Sequence, residues 1–282
     1  MNVYKIKNIL APIDLSECSL NALDSAVNIA KKHKAALHIL HVDENSFQTV
    51  EEPGFSFFSN STDVINALVG AIQHSHGLKP MVWQQEGNVA DMIIKTSFLQ
   101  HTDLIVMGSH GASGYRDGFI GNNTYNVMKY AACPVLSVPQ RKKINGVKKI
   151  LFPIRPVTGA LTTYEMVSPF TNPDTVMEVF GLTYRMILET NSVLETIVDE
   201  IKEQLKKDAV VAKPLWSEST SISIADEIVK YTNQSNPDLV VVTAALDVTS
   251  KARYIGPHAQ KIIHCSKAPV LSIKKLNVAT LA

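Results

Sequence analysis

The sequence predicts an α/β protein built as two tandem domains, each a parallel sheet of five strands sandwiched between helices. Three observations carry this reading. Apolar runs alternate with amphipathic stretches, the second half of the chain repeats the first, and the composition is that of a near-neutral globular protein. Alternation of this kind fits strand–helix–strand units, whose right-handed crossovers place helices over both faces of a parallel sheet.

Taken in order, residues 9–13 of NILAPID form a short apolar run ending beside Pro12 and Asp14, and Leu20, Leu23, Val27 and Ala30 follow at helical spacing. A strand thus feeds a helix. ALHILHV (36–42) is the second strand. The polar and aromatic stretch 43–61, with Phe55, Phe57, Phe58 and Asn60, is longer than an ordinary βα connection. It reads either as a lid or partner surface, or as a locally packed loop anchored by its phenylalanines. Helical periodicity resumes near Val64, and MVWQQEG (81–87) is the third strand. Val89, Met92, Ile93 and Thr96 line one side of a helix over 89–100, and DLIVMG is the fourth strand. A helix opened by Gly121 and the strand VLSV complete five units.

QRKKING (140–146) is basic, polar and closed by glycine, a linker composition. After it, VKKILFPIR answers the opening IKNILAPID, with Pro153 in the place of Pro12 and Arg155 in that of Asp14. NPDLVVVTAAL answers HTDLIVMGSHG, and YIGPHAQKIIHCSKAPVLSI answers FIGNNTYNVMKYAACPVLSV. Gly121 and Gly256 stand 135 residues apart, as do Pro134 and Pro269. So long a period is not that of a solenoid and implies two domains of one fold, 1–140 and 147–282. Between its ends the second half offers a strand at VMEVFGL, a helix carrying Val193, Ile197, Ile201 and Leu205, and a helix over 222–231.

Lys plus Arg number 27 against 26 Asp plus Glu, so no charge excess points to nucleic acid or an anionic membrane. No apolar run approaches the roughly 18 residues that span a bilayer. The start, MNVYKIKNILAPID, enters a strand directly rather than as a signal peptide, so a cytoplasmic protein is expected. Cys18, Cys133 and Cys265 are too few and scattered for a disulfide framework or a zinc set, and are read as buried or helix-face thiols.

Chemistry concentrates at 103–139. Five of the thirteen glycines, Gly108, Gly111, Gly114, Gly118 and Gly121, follow the fourth strand within fourteen positions. Backbone amides there can close around an anion, and Gly121 opens a helix whose first amides lack intrahelical partners. Gly108, Gly111 and Gly121 are expected to use positive φ and let the main chain approach phosphate closely. Ligands of such sheets bind beyond the strands' carboxyl ends where the winding reverses. If the first and fourth strands are neighbours, Asp14 and the Gly108 loop face each other across one crevice. The Asp14 carboxylate suits ribose hydroxyls or an amino group, and Val42 offers backbone groups and an apolar wall. Alone, a strand-end aspartate serves as readily as a helix cap.

The spacing of Gly108, two residues, Gly111, nine residues and Gly121 resembles the ATP-binding signature of the universal stress protein family. The resemblance extends over both halves, including APID and CPVLSV. It implies an adenine nucleotide alpha hydrolase-like, Rossmann-like sandwich, a role in stress responses, and ATP, alone or with Mg2+, as the ligand. It also implies dimers formed through the last strand, here either a homodimer or an intramolecular pseudo-dimer, with protein partners unidentified. Carried over by position, Pro12, Ile13, Asp14 and Val42 would take the adenine and ribose. Met107, Gly108, Gly111, Gly121, Asn122, Asn123 and Thr124 would take the phosphates. Asn122 departs from the family's serine or threonine. Losing one hydrogen bond to a charged phosphate costs roughly 1.5–3 kcal/mol, and Thr124 is the candidate to supply the missing hydroxyl.

These residues point to a nucleotide-responsive regulator with at most slow hydrolysis; the alternative is an adaptor or oligomerisation module with a vestigial site. There is no P-loop lysine, and no set of nucleophile, base and oxyanion donors can be assembled. His110 is read as a loop side chain facing solvent or ribose, since no nearby carboxylate orients it. Arg116 and Asp117 are read as an exposed pair rather than as ligands of a γ-phosphate or metal. In the second half Thr243 and Leu246 replace Gly108 and Gly111, leaving Gly256. A leucine where positive φ is needed is costly, so the fold is expected to persist without the site, in a structural or dimerising role. A competing reading lets Arg155 and His258 bind a different anion.

Overall fold

Strands whose residues are apolar throughout belong in the middle of a sheet covered on both sides, and strands that alternate belong at its rim. The computed structural model describes residues 4–44, 58–110, 120–154, 160–184, 188–208, 210–219, 223–243 and 255–274. The first half runs β1 (Asn8–Ile13), α1 (Glu17–His33), β2 (Ala36–Asp43), α2 (Phe58–His76), β3 (Met81–Glu86), α3 (Val89–Leu99), β4 (Leu104–Gly108), α4 (Asn122–Tyr130) and β5 (Val135–Val138). The second half runs β6 (Lys149–Ile154), α5 (Ala160–Val167), β7 (Val176–Tyr184), α6 (Leu188–Lys207), β8 (Val211–Ser219), α7 (Ile224–Ser235), β9 (Leu239–Thr243), α8 (Pro257–Cys265) and β10 (Val270–Ile273). Together the strands form one ten-stranded sheet in the order β3-β2-β1-β4-β5-β10-β9-β6-β7-β8. LIVMG of β4 and VLSV of β5 are buried throughout, whereas MVWQQE of β3 lies at the edge and alternates between exposed and half-buried.

Each half is a five-stranded parallel sheet, so the tandem α/β architecture expected from the repeat is present. The halves join by their last strands, β5 against β10, in an antiparallel pairing. Leu136 faces Leu271, which is its own counterpart 135 residues later. A pseudo-two-fold axis therefore passes through that pair, and the arrangement is an intramolecular pseudo-dimer.

Both helical layers run across the axis. On one face α1, α2, α5 and α6 cover a core that includes Ile29, Ile65, Tyr164 and Ile201; on the other, α3, α4, α7 and α8 cover Ile93, Val127, Ile228 and Ile262. Each core is continuous from one half to the other. Local signals start the helices: Ser16 accepts from Ser19 N ahead of α1, and Asn88 accepts from Asp91 N ahead of α3. Among the described residues no helix is long and apolar enough to cross a membrane. The three cysteines are unbridged; Cys18 is buried and the other two are partly buried.

Two features go beyond the sequence reading. The polar linker lies along α1, where Asn21, Ser25 and Asn28 form one stripe. Asn21 donates to Pro139 O, Ser25 Oγ accepts from Ile144 N at 2.9 Å, and Asn28 donates to Ile144 O at 2.8 Å. Ile144 itself is buried, and Lys142 Nζ caps the end of α7 by donating to the carbonyls of Asn236 and Pro237. The second feature is β8, a strand containing Pro214. It is the edge of the sheet, where a residue without an amide hydrogen is tolerated.

With shared cores on both faces, the chain is expected to unfold in a single calorimetric transition rather than two. Leu136→Ala, at the junction, should lower stability by ~2–4 kcal/mol in a denaturant titration, whereas separate melting of the two halves would show the junction to be weak.

Candidate nucleotide site

The crevice is where the winding of the first half reverses. β1 pairs with β2 on one side and with β4 on the other, Ile9 opposite Leu104 and Leu10 opposite Ile105. The carboxyl ends of β1 and β4 therefore stand side by side, and α1 packs across β1, β4 and β5. Asp14 and Gly108 flank the resulting switch point, the place where such sheets take ligands.

On the β1 side, Pro12 and Ile13 are buried opposite Leu40 and His41. Asp14 is exposed at the lip. Its Oδ1 accepts from Ser16 N at 3.0 Å and Ser16 Oγ at 2.5 Å, and its own amide donates to Ser19 Oγ at 3.3 Å. Leu15 adopts φ 62, a left-handed turn unusual for a branched side chain. Asp14 is not itself the cap of α1, which is Ser16. It steadies the residue that caps α1, and that same turn holds its carboxylate at the mouth. Val42 is half-buried at the end of β2. Next to it His41 Nδ1 lies 3.0 Å from Ile13 O, a rim residue that the sequence reading passed over. Pairing of β1 with β2 in register would have singled it out.

On the β4 side the glycines work differently from expectation. Met107 and Gly108 are buried. Among the described glycines positive φ belongs to Gly77, Gly87 and Gly146, while Gly121 has φ −54. Gly108 is required by space: a Cβ there would lie 2.9 Å from His110 O and 3.0 Å from Cys18 Sγ. Helix α1 brings Cys18 hard against the strand, and its thiol also donates to Val138 O. Gly121 is less crowded, the nearest atom to a Cβ there being Ser109 O at 3.6 Å. Gly111 lies outside the described residues, as do Gly114, Arg116, Asp117 and Gly118.

Gly121 precedes α4 without any side-chain cap, so the helix begins with its first amides uncapped by a side chain. Asn122 is exposed in the first position and Asn123 half-buried in the second. Thr124 departs from the role expected of it. It is 3% exposed, and its hydroxyl donates to Gly108 O at 3.1 Å, which ties α4 to the end of β4. That proton is committed to the scaffold and does not replace a hydroxyl at position 122.

His110 also differs from expectation. Its Nδ1 lies 2.9 Å from Ser109 Oγ, and its ring meets the edge of His264 from α8, centroids 5.6 Å apart at 70°. Burial, and secondly the neighbouring His264, hold its pKa below the ordinary range. It faces the second half rather than open solvent. In that half β9 ends at half-buried Thr243, and a Cβ on Gly256 would meet nothing within 4 Å. His258 is exposed, while Arg155 and Leu246 lie outside the described residues. Among the described residues no three His, Cys, Asp or Glu side chains are placed to hold a metal.

Residues 5–139 match the model of the universal stress protein family. The chain is 32% identical over 154 residues to a universal stress protein of Methanocaldococcus jannaschii, covering 50% of this chain and 86% of that one. It is 30% identical over 142 residues to the universal stress protein YxiE of Bacillus subtilis, covering 46% of this chain and 96% of YxiE. Across both halves it resembles the crystal structure of a universal stress protein from Archaeoglobus fulgidus, with TM-score 0.71, 16% identity, and coverage of 95% and 98% of the two chains. That last likeness is one of fold.

The different surroundings of two glycines yield a paired expectation. Gly108→Ala should destabilise the protein by ~1–3 kcal/mol through overpacking against Cys18 and the backbone, while Gly256→Ala should leave the denaturant midpoint within error. Equal effects would contradict the steric account.

Proposed function

Because the chain belongs to the universal stress protein family, we propose that its first domain (1–140) binds an adenine nucleotide, ATP foremost, and that occupancy regulates the protein in a cytoplasmic stress response. The observation that carries this reading is the start of α4: uncapped by a side chain, it stands at the same switch point as the Asp14 carboxylate. An anion gains from the helix's first amides and dipole, and a ribose gains from a fixed acceptor. Pro12, Ile13 and Val42 would line the adenosine side. Met107, Gly108, Gly111, Gly121, Asn122 and Asn123 would line the phosphate side, and Thr124 would hold α4 in place for them. Mg2+ would accompany the phosphates when ATP binds. Hydrolysis would be slow at most, since no lysine follows the glycines as in a P-loop.

The second domain (147–282) is proposed to be a degenerate copy that supplies the pairing surface through β10, so that one molecule forms the pseudo-dimer without a second chain. The other reading, an adaptor with a vestigial site, draws on two observations: Asn122 replaces a hydroxyl, and the Thr124 hydroxyl is already engaged.

Calorimetry of the full chain with ATP and ADP separates the two. Binding is expected, weakened roughly tenfold or more by Asp14→Ala through loss of a charged acceptor and tightened by Asn122→Ser. Absence of any uptake at millimolar nucleotide would leave the adaptor reading in possession.

A further inference from the structure

We infer that the nucleotide site of the first half is composite: His264 and Lys274, both from the second half, position the end of β4 and the helix α4, the described elements that would receive the phosphates. This rests on the nucleotide reading above.

His264 sits in the last turn of α8 and is 6% exposed. Its ring meets that of His110 at the neck of the glycine-bearing loop. At that neck the chain leaves β4 and returns to α4: Ser109 N donates to Val138 O, and a Cβ on Gly121 would lie 3.6 Å from Ser109 O and 3.8 Å from His110 Cα. A ring held against His110 therefore bears on both ends of the loop. With His110 depressed in pKa, chiefly by burial, the contact at neutral pH is made by an uncharged His110 ring.

Lys274 acts at the opposite end of the same helix. Its ammonium donates to Lys129 O at 3.1 Å, near the carboxyl end of α4. A cation there complements the helix dipole whose positive end opens at Gly121. The second half thus touches the phosphate elements twice, once beside the loop neck and once at the far end of α4.

The repeat makes the arrangement directional. The residue 135 positions before His264 is Lys129, not a histidine, and its ammonium lies 4.9 Å from the centroid of the Tyr130 ring. The counterpart of Lys274 is Pro139, which offers no donor. The half that has lost the glycines thus carries both supporting side chains, and they face the half that keeps the glycines. Supporting residues of this kind set affinity by holding contact groups within a fraction of an ångström of the productive geometry.

The test is calorimetry on the full chain and on His264→Ala, His264→Phe and Lys274→Met, using ATP and adenosine as separate probes. Adenosine has no phosphate, so it reports the Asp14 side alone. His264→Ala should weaken ATP roughly three- to tenfold, the worth of an edge-to-face ring pair, and leave adenosine unchanged. His264→Phe should restore ATP affinity by restoring the ring. Lys274→Met should show the same selectivity, and it carries the test if His264→Ala does not fold. Unchanged ATP affinity in both truncations, or equal losses for ATP and adenosine, would overturn the inference while the nucleotide reading stood. A parent protein that bound neither probe would instead remove the nucleotide reading and this inference with it.

Discussion

The crevice exists because β1 is paired beside β4, and one carboxylate clamps the leading end of that pairing. Asp103 Oδ2 accepts from the amides of Lys7 and Asn8 at 2.7 and 2.9 Å, while the Asp103 amide donates back to Asn8 O. These are the leading ends of strands whose trailing ends carry Asp14 and Gly108. The second half repeats the clamp: Asp238 Oδ2 accepts from Lys148 and Lys149 amides, both at 2.9 Å, and its amide donates to Lys149 O. These amides are exposed or half-buried, so water weakens each bond, but each aspartate ties together the leading ends of two neighbouring strands and satisfies two donors at once. The clamp survives in both halves, although only the first keeps the loop glycines.

Much of this was legible in the sequence because it depends on short-range pattern. Fully apolar LIVMG and LVVVT announced central strands, and the 135-residue register announced the duplication. The pairing of β1 with β4 entered the sequence reading only as a condition for the crevice, and the structure meets it. What escaped was set by packing between distant segments. Gly108 looked like a residue needed for its φ, but its necessity comes from the carbonyl of His110 and from Cys18 on another element. Thr124 looked available to a ligand, whereas the strand end beneath it takes its proton. His110 had no orienting carboxylate near it in sequence; adjacent Ser109 meets its Nδ1, and its ring neighbour His264 lies 154 positions away. β8 was hidden by Pro214, whose tolerance there depends on being at the edge, and edges are a property of the whole sheet.

The linker teaches the same lesson about composition. QRKKING is basic and polar, as a flexible tether would be, yet Ile144 is buried and α1 binds the backbone on both sides of it. Asn21, Ser25 and Asn28 lie on one face of α1 through helical spacing alone, a stripe whose purpose is visible only once the linker is laid along it. The joint between the halves is consequently part of the packed structure.

That joint has a thermodynamic corollary. A strand-to-strand dimer of separate chains forms and dissolves with concentration, and its symmetry obliges both members to carry the same surface. Here the β5–β10 contact is intramolecular, held at the fixed effective concentration that a short tether imposes. Dilution does not open it, and substitutions on one side need not appear on the other. The two copies of the fold are free to diverge while remaining together, and the pairing of β5 with β10 is independent of protein concentration.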